Sequence, residues 1–308
     1  NNSISKFISI VVFLIILILI GFLGWFGTRY VLSDIYFQQS LAAAAKNNGN
    51  LTYQKQLEAI KLVEYRDGYY RIFSQTNLIL ANSLVAMQPK GKKLSPDAQK
   101  TLYQLVQNSI NAARAATTTS PLNVANWQNL ASVYRALIGF GENAEKFTID
   151  TLQQSIALDR TNPQEYIVLG GVYYQLGQYD NAIAAFQVAI QLKPDLANAY
   201  YNLGHALEQK GDFKAALEQY NIVKQLINND ATNRKKIEEE IAAIEKKIAS
   251  SEKSGTSEQK SEIKPTTEEQ ELNVNKPSNV FPTQKPQVKI PAPTKAVSPV
   301  ASPTPKEE

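Results

Sequence analysis

The sequence contains no cysteine, and only one of its 308 residues, His205, is a histidine. The first absence excludes disulfides, thiol nucleophiles and cysteine metal sites, and it leaves either redox compartment open. The second means that a Ser–His–Asp triad would need His205, which the helical pattern places inside a helix next to Gly204. A preponderance of one charge is lacking too. Lys and Arg number 32 against 28 Asp and Glu, a net of +4, and the basic residues are not clustered. A nucleic-acid footprint needs them gathered on one face. The carboxylates fall on helix faces where solvation is the default, and no pair is singled out by an apolar setting. Gly170-Gly171 lacks the glycine spacing of a phosphate loop. These absences point away from an enzyme, a cofactor, a metal and a nucleic-acid partner.

What is present begins with an apolar run. No charge occurs between Lys6 and Arg29, and residues 7–27 read FISIVVFLIILILIGFLGWFG. A helix of that length crosses the roughly 30 Å hydrocarbon layer of a bilayer. Trp25 and Tyr30 stand at one end, where amphipathic rings favour the interface. A cleaved signal peptide would have a shorter core and a small-residue site directly after it. Gly24-Trp25-Phe26-Gly27 is a poor site of that kind. The run therefore predicts a retained, single-pass anchor contacting the lipid bilayer through residues 7–27. Lys6 on one side balances Arg29 on the other, so charge does not set its orientation. The absence of cysteine and the Pro/Lys/Thr content of the C-terminal region lead us to expect the soluble part outside the cytoplasm. Asn1-Asn2 at the start, in place of Met, is expected of a fragment of a longer chain.

Beyond the apolar run the code is helical and repeated. Tyr166, Leu169, Gly170 and Tyr173 are spaced as one face of a helix. Gly177 interrupts that face, Ala182, Phe186, Ala189 and Ile190 form a second one, and Pro194 stops it. Small Gly170 and Ala182 would let two helices nearly touch, with Tyr166, Tyr173 and Phe186 filling the wider gaps. One such pair has too little core to fold alone and needs neighbours. A copy follows 34 residues on, where Tyr200, Leu203, Gly204, Gly211, Ala216 and Tyr220 repeat Tyr166, Leu169, Gly170, Gly177, Ala182 and Phe186. Weaker copies precede it. Trp127, Leu130, Ala131 and Tyr134 open one, with an insertion around Gly139-Phe140-Gly141. Tyr70, Phe73, Ser74 and Asn77 open another, stretched by an insertion around Pro89–Lys93, with Ser95 as N-cap of its second helix. A degenerate first copy turns at Asn47-Asn48-Gly49-Asn50.

These signals predict an all-α chain: an anchor over 1–29, helical repeats over 30–230, a capping helix over 231–249 and a tail over 250–308. The repeats divide at about 34–66, 67–121, 122–162, 163–196 and 197–230. Ile237, Ile241, Ile244 and Ile248 form one apolar stripe, suited to covering the last repeat of a solenoid. Nine of the 14 prolines lie after Ser250, where Phe281 is the only aromatic residue. Such a segment buries too little apolar surface to offset chain entropy and is expected to be disordered.

The order aromatic-x2-Leu-Gly-x2-Tyr, Ala-x3-Phe, Pro over 163–194 resembles the tetratricopeptide (TPR) repeat, with Tyr166 in place of the opening Trp. The resemblance implies an α-solenoid scaffold whose first helices line a concave groove for a protein or peptide partner. It places Gln128, Asn129 and Arg135 of the third repeat in that groove. Ile167 and Tyr174 of the fourth and Tyr201, Asn202, His205 and Glu208 of the fifth complete it. Family members that bind acidic C-termini carry paired lysines, absent here, so the ligand is expected to be an internal segment or a partner surface. Tyr174 and Tyr201 are the expected anchors. A looser similarity joins SDIYFQQSLAAAAKNNGN (33–50) and YRDGYYRIFSQTNLILANSL (65–84) to the C-terminal part of bacterial O-antigen ligase-like membrane proteins with TPR domains. It implies, as an alternative, the soluble end of a polytopic glycan transferase whose catalytic residues would lie upstream.

Overall fold

The computed structural model describes residues 2–88, 93–227 and 230–253. Among these the chain forms eleven α-helices and no strand. They are α1 (Asn2–Ala45), α2 (Gly49–Leu62), α3 (Asp67–Ala86), α4 (Pro96–Thr119), α5 (Val124–Arg135), α6 (Ala144–Leu158), α7 (Pro163–Gln175), α8 (Tyr179–Leu192), α9 (Ala197–Gln209), α10 (Phe213–Leu226) and α11 (Ala231–Lys253). They fall into two compact units. One holds α1–α5 and ends at Glu142; the other begins at Asn143 and holds α6–α11.

Local chemistry fixes where the helices begin and end. The side chains of Asn48, Ser95, Asn123, Asn162 and Asp212 each accept a backbone N–H in the first turn of the helix that follows. Each satisfies a donor that the helix itself leaves unpaired. Pro96 and Pro163 sit in the first turn, where a missing N–H costs nothing. At the other end, Gly177 (φ +71°) and Gly211 (φ +82°) enter the left-handed region. There Gln178 N donates to Tyr173 O at 2.9 Å and Asp212 N to Leu207 O at 3.0 Å, closing both helices in the same way.

In the second unit, α7/α8 and α9/α10 are antiparallel hairpins with one packing device. A Cβ added to Gly204 would lie 2.5 Å from Cε1 of Tyr220. One added to Gly170 would lie 2.7 and 2.9 Å from Cδ1 and Cζ of Phe186, and closer still to Cε1. The ring of the second helix therefore rests on the bare backbone of the first. Ala182, Phe186, Ala189, Ala199, Leu203 and Ala206 form one core cluster. Tyr220, Ala216 and Val223 form the next, closed by Ile237 and Ile244 of α11, both of which are buried. Covering each isoleucine contributes about 1.5–3 kcal/mol. Helix α11 continues to Lys253, past the expected start of the tail at Ser250; residues 254–308 lie outside the described residues.

The first unit packs differently. At the α3/α4 crossing the glycine place is Ser74, and it meets Ser109, whose Oγ donates to the Ser74 carbonyl at 2.9 Å. Buried Asn126 of α5 donates to Asp67 Oδ2 (2.8 Å) and to the Ala116 carbonyl (3.0 Å), tying the start of α3 and the end of α4 to α5. At the membrane end, α1 is unbroken for 44 residues, about 66 Å at 1.5 Å per residue. Side chains from Lys6 to Thr28 are exposed along it, whereas Ser33 and Ser40 are buried. The expected division between residues 29 and 30 thus falls inside one helix.

Candidate partner-binding surface

The positions expected to line a groove fall in both units: Gln128, Asn129 and Arg135 on α5, and Ile167, Tyr174, Tyr201, Asn202, His205 and Glu208 on α7 and α9. Three of them are interior. Asn129 is buried and donates to Ser74 Oγ at 3.2 Å. Ile167 belongs to the core between α7, α8 and α9. Tyr201 is only 3% exposed and packs in the cluster that Ile237 and Ile244 close. The position after the opening aromatic thus carries a core side chain in both clear repeats. The expectation that Ile167 and Tyr201 are open to a ligand is corrected accordingly.

On α9 the chain occupies the expected surface itself. Tyr201, His205 and Glu208 follow one another at spacings of four and three, so they share a helix face. All three meet neighbouring helices. The Tyr201 hydroxyl donates to Glu240 Oε1 at 3.3 Å, and Lys236 Nζ lies 5.9 Å from the Tyr201 ring centroid. Glu208 pairs with Lys247 and accepts the Tyr220 hydroxyl at 2.9 Å. His205 sits edge-on to Tyr201, with 4.4 Å between ring centroids, and its Nδ1 is 3.1 Å from the Tyr220 hydroxyl. Since that hydroxyl gives its one proton to Glu208, His205 Nδ1 is the donor in this pair. Burial pushes the His205 imidazole below its ordinary 6.5; Glu240 and Glu208 pull the other way, and Lys236 and Lys247 add to the fall. The side chain is therefore neutral at pH 7. Burial also raises the Tyr201 and Tyr220 hydroxyls, with the Glu240 and Glu208 carboxylates adding to it.

The residues that complete this site, Lys236, Glu240 and Lys247, were not among those expected from sequence. A signal for two of them exists. Glu240 and Lys247 stand three residues after Ile237 and Ile244, beside the apolar stripe.

What stays accessible lies further along the face. Tyr174 is half-buried and meets Tyr179 edge-on at 5.6 Å. Asn202 is half-buried, with its Nδ2 3.4 Å from Asn198 Oδ1. Gln128 and Arg135 are half-buried on α5. Among the described residues no group of three or more His, Asp or Glu could hold a metal ion.

Comparison with known proteins agrees with this architecture. Residues 170–211 match a family described as TPR repeat, and residues 197–228 match one described as tetratricopeptide repeat. A chloroplastic tetratricopeptide repeat domain-containing protein of Arabidopsis thaliana, PYG7, is 34% identical over 77 residues, covering 25% of this chain and 26% of its own length. A probable UDP-N-acetylglucosamine–peptide N-acetylglucosaminyltransferase of the same plant, SEC, is 33% identical over 72 residues, 22% of this chain and 7% of its own. The chain thus matches about a quarter or less of these relatives, in their repeats. A crystal structure of MamA is similar with a TM-score of 0.51 at 19% identity, covering 65% of this chain and 94% of its own. MamA from Desulfovibrio magneticus RS-1 gives 0.51 at 15% identity, covering 65% and 97%. The chain carries tetratricopeptide repeats in an all-helical solenoid, a scaffold suited to protein–protein interaction. One N-terminal helix is apolar enough to cross a membrane.

Proposed function

We propose that this chain is a membrane-anchored scaffold that presents its repeats to a protein partner, in the assembly of a cell-envelope complex. The observation that carries the reading is the unbroken course of α1 from the exposed apolar stretch into the packing of the first hairpin. A helix joined in this way transmits the position of the anchor to the repeats, with no linker between. The soluble part stands on the extracytoplasmic side, and the attachment is hydrophobic, so alkaline carbonate or high salt leaves the chain in the membrane. The partner is an internal segment or a folded surface, held by aromatic and amide contacts around Tyr174, Asn198 and Asn202. Catalysis, cofactors, metals and nucleic acid play no part.

The test is a photo-crosslinking amino acid placed at Tyr174, with Gln187 on the exposed face of α8 as control. We expect a discrete protein adduct at position 174 that is absent at 187 and lost when Tyr179→Ala is added. Equal adducts at both positions, or none at 174, would reject the surface.

The passage of span into repeat is equally what the soluble end of a polytopic glycan transferase would show. The reading frame upstream of Asn1 decides between the two: further apolar spans there favour the transferase.

A further inference from the structure

The apolar run ends at Gly27, and the next stretch of α1 is where the first unit begins to pack. Phe26, still inside the run, stacks on Tyr65 of the α2–α3 turn with 6.1 Å between ring centroids and 5° between planes. Arg29 lies over the Trp25 ring at 4.8 Å and reaches the Lys61 carbonyl with Nη2 at 3.3 Å. Arg66 lies 4.1 Å over the Tyr30 ring and donates to the Tyr30 hydroxyl at 2.5 Å. It also pairs with Asp34, which accepts the Tyr69 hydroxyl at 2.6 Å. Burial works against the Arg66 charge, but its bonds to Tyr30, Asp34 and Tyr69 hold it protonated. The α2–α3 turn is therefore clamped level with residues 26–34, where a bilayer spanned by 7–27 would end. Tyr65 is nonetheless 53% exposed.

A second turn belongs to the same edge of this unit. Helices α1 to α5 alternate in direction, so the α4–α5 turn emerges at the end where α2 finishes. Asp67, next to Arg66, accepts from Asn123 (2.7 Å) and Asn126 (2.8 Å) and so joins the two turns. Trp127 Nε1 donates to the Pro121 carbonyl at 2.7 Å and fixes the loop. At the tip Leu122 is 80% exposed. An exposed leucine alone needs no explanation. An exposed tyrosine and leucine on the edge that meets the end of an apolar span do need one.

We propose that this edge is a lipid-contacting surface. Tyr65 and Leu122 enter the headgroup–glycerol layer of the bilayer that α1 spans, extending the ring formed by Trp25, Phe26 and Tyr30. The proposal rests on the spanning reading of α1. Aromatic side chains of this kind favour the interface. Charge does not drive the contact, because Lys61 is offset by Glu64 in the same turn and Arg66 is paired with Asp34. The occupant is thus the interfacial layer itself, zwitterionic or anionic, and the contact holds the first unit upright on the membrane.

The absence of cysteine makes the test direct. Single-cysteine forms of the full chain at Glu64, Leu122, Met87 and Leu19, each carrying an environment-sensitive fluorophore, are reconstituted into phosphatidylcholine vesicles. Met87 is 79% exposed at the far end of α3 and serves as the water-facing control. Labels at 64 and 122 are expected to shift to the blue and lose emission to headgroup-level nitroxide lipids, in high salt as in low. The label at 87 stays unquenched and that at 19 responds to deep nitroxides. If 19 is quenched from the bilayer interior while 64 and 122 behave as 87 does, the edge proposal fails and the anchor stands. If 19 is not quenched, both fail. Loss of quenching at 64 in the Leu122→Ser background, with that at 19 retained, would assign the insertion to Leu122 rather than to the stalk alone.

Discussion

The hairpins α7/α8 and α3/α4 carry out the same crossing with opposite chemistry. In the first, a glycine backbone receives an aromatic ring: Gly170 under Phe186, and again Gly204 under Tyr220 in α9/α10. In the second, Ser74 faces Ser109, and the helices are held by hydroxyl–carbonyl bonding instead of a ring seated on bare backbone. The pair of side chains at the crossing is what must be conserved in size, and large-on-nothing is one solution among several. The difference lies in what each tolerates. A ring against a backbone is sensitive to volume, and a pair of buried hydroxyls is sensitive to polarity.

The largest expected effects break the first arrangement. Phe186→Ala should cost about 3–5 kcal/mol, since the ring is buried and leaves a cavity. Gly170→Leu should cost at least about 1–3 kcal/mol, because the added atoms meet the ring with no room to move. Gly177→Ala should cost less, about 1–2 kcal/mol, for its left-handed backbone alone. Urea melts of the three variants check the order. Near-native midpoints for both Phe186→Ala and Gly170→Leu would remove the packing account.

Intermediate effects belong to the serine pair. Ser109→Ala leaves buried Ser74 short of a partner and should cost about 1–3 kcal/mol. The double change Ser74→Ala/Ser109→Ala removes both polar groups and should recover much of that loss. A double variant as unstable as the sum of its singles would show that the hydroxyls stabilise the crossing through more than their mutual contact. Asn129 complicates the cycle, since its amide donates to Ser74 Oγ.

This contrast explains what could be read in advance. Gly170, Phe186, Gly204 and Tyr220 announce themselves, because a large–small alternation at helical spacing has few other causes. Ser74 could be aligned to the glycine place only by counting from Tyr70, and nothing in the pattern marks Ser109 as its partner 35 residues on. The candidate surface was harder still. Periodicity places Tyr201, His205 and Glu208 on one face, but which helix lies over that face depends on the path of the chain between α10 and α11. Asn126 and Arg66 escaped for a related reason: each joins segments far apart in sequence, and a single polar residue has no period.

The smallest effect concerns the one place where α9 departs from α7 in this face. His205 stands 34 residues after Gly171, at the same register, and only α9 is covered by α11. Its imidazole is surrounded by Glu208 on its own helix, Tyr220 on α10, and Glu240, Lys236 and Lys247 on α11. Because burial holds it below its ordinary 6.5, the unfolded chain binds this proton more readily than the folded one. Stability is therefore complete above about pH 6.5 and falls as the pH drops from there toward the lowered folded value. Carboxylates in native bonds add their own loss only further down, since Asp34 and Asp67 are held below 3.8. Urea midpoints at pH 7.5 and pH 5.5 should differ in the native chain. In His205→Gln, which keeps a polar side chain of similar reach, that difference should shrink. Phe or Ala there would confuse the result with repacking around Tyr201 and Tyr220. If His205→Gln kept the full acid-side loss, the titrating group would lie elsewhere. The α9–α11 contact would then be held by Ile237 and Ile244 alone.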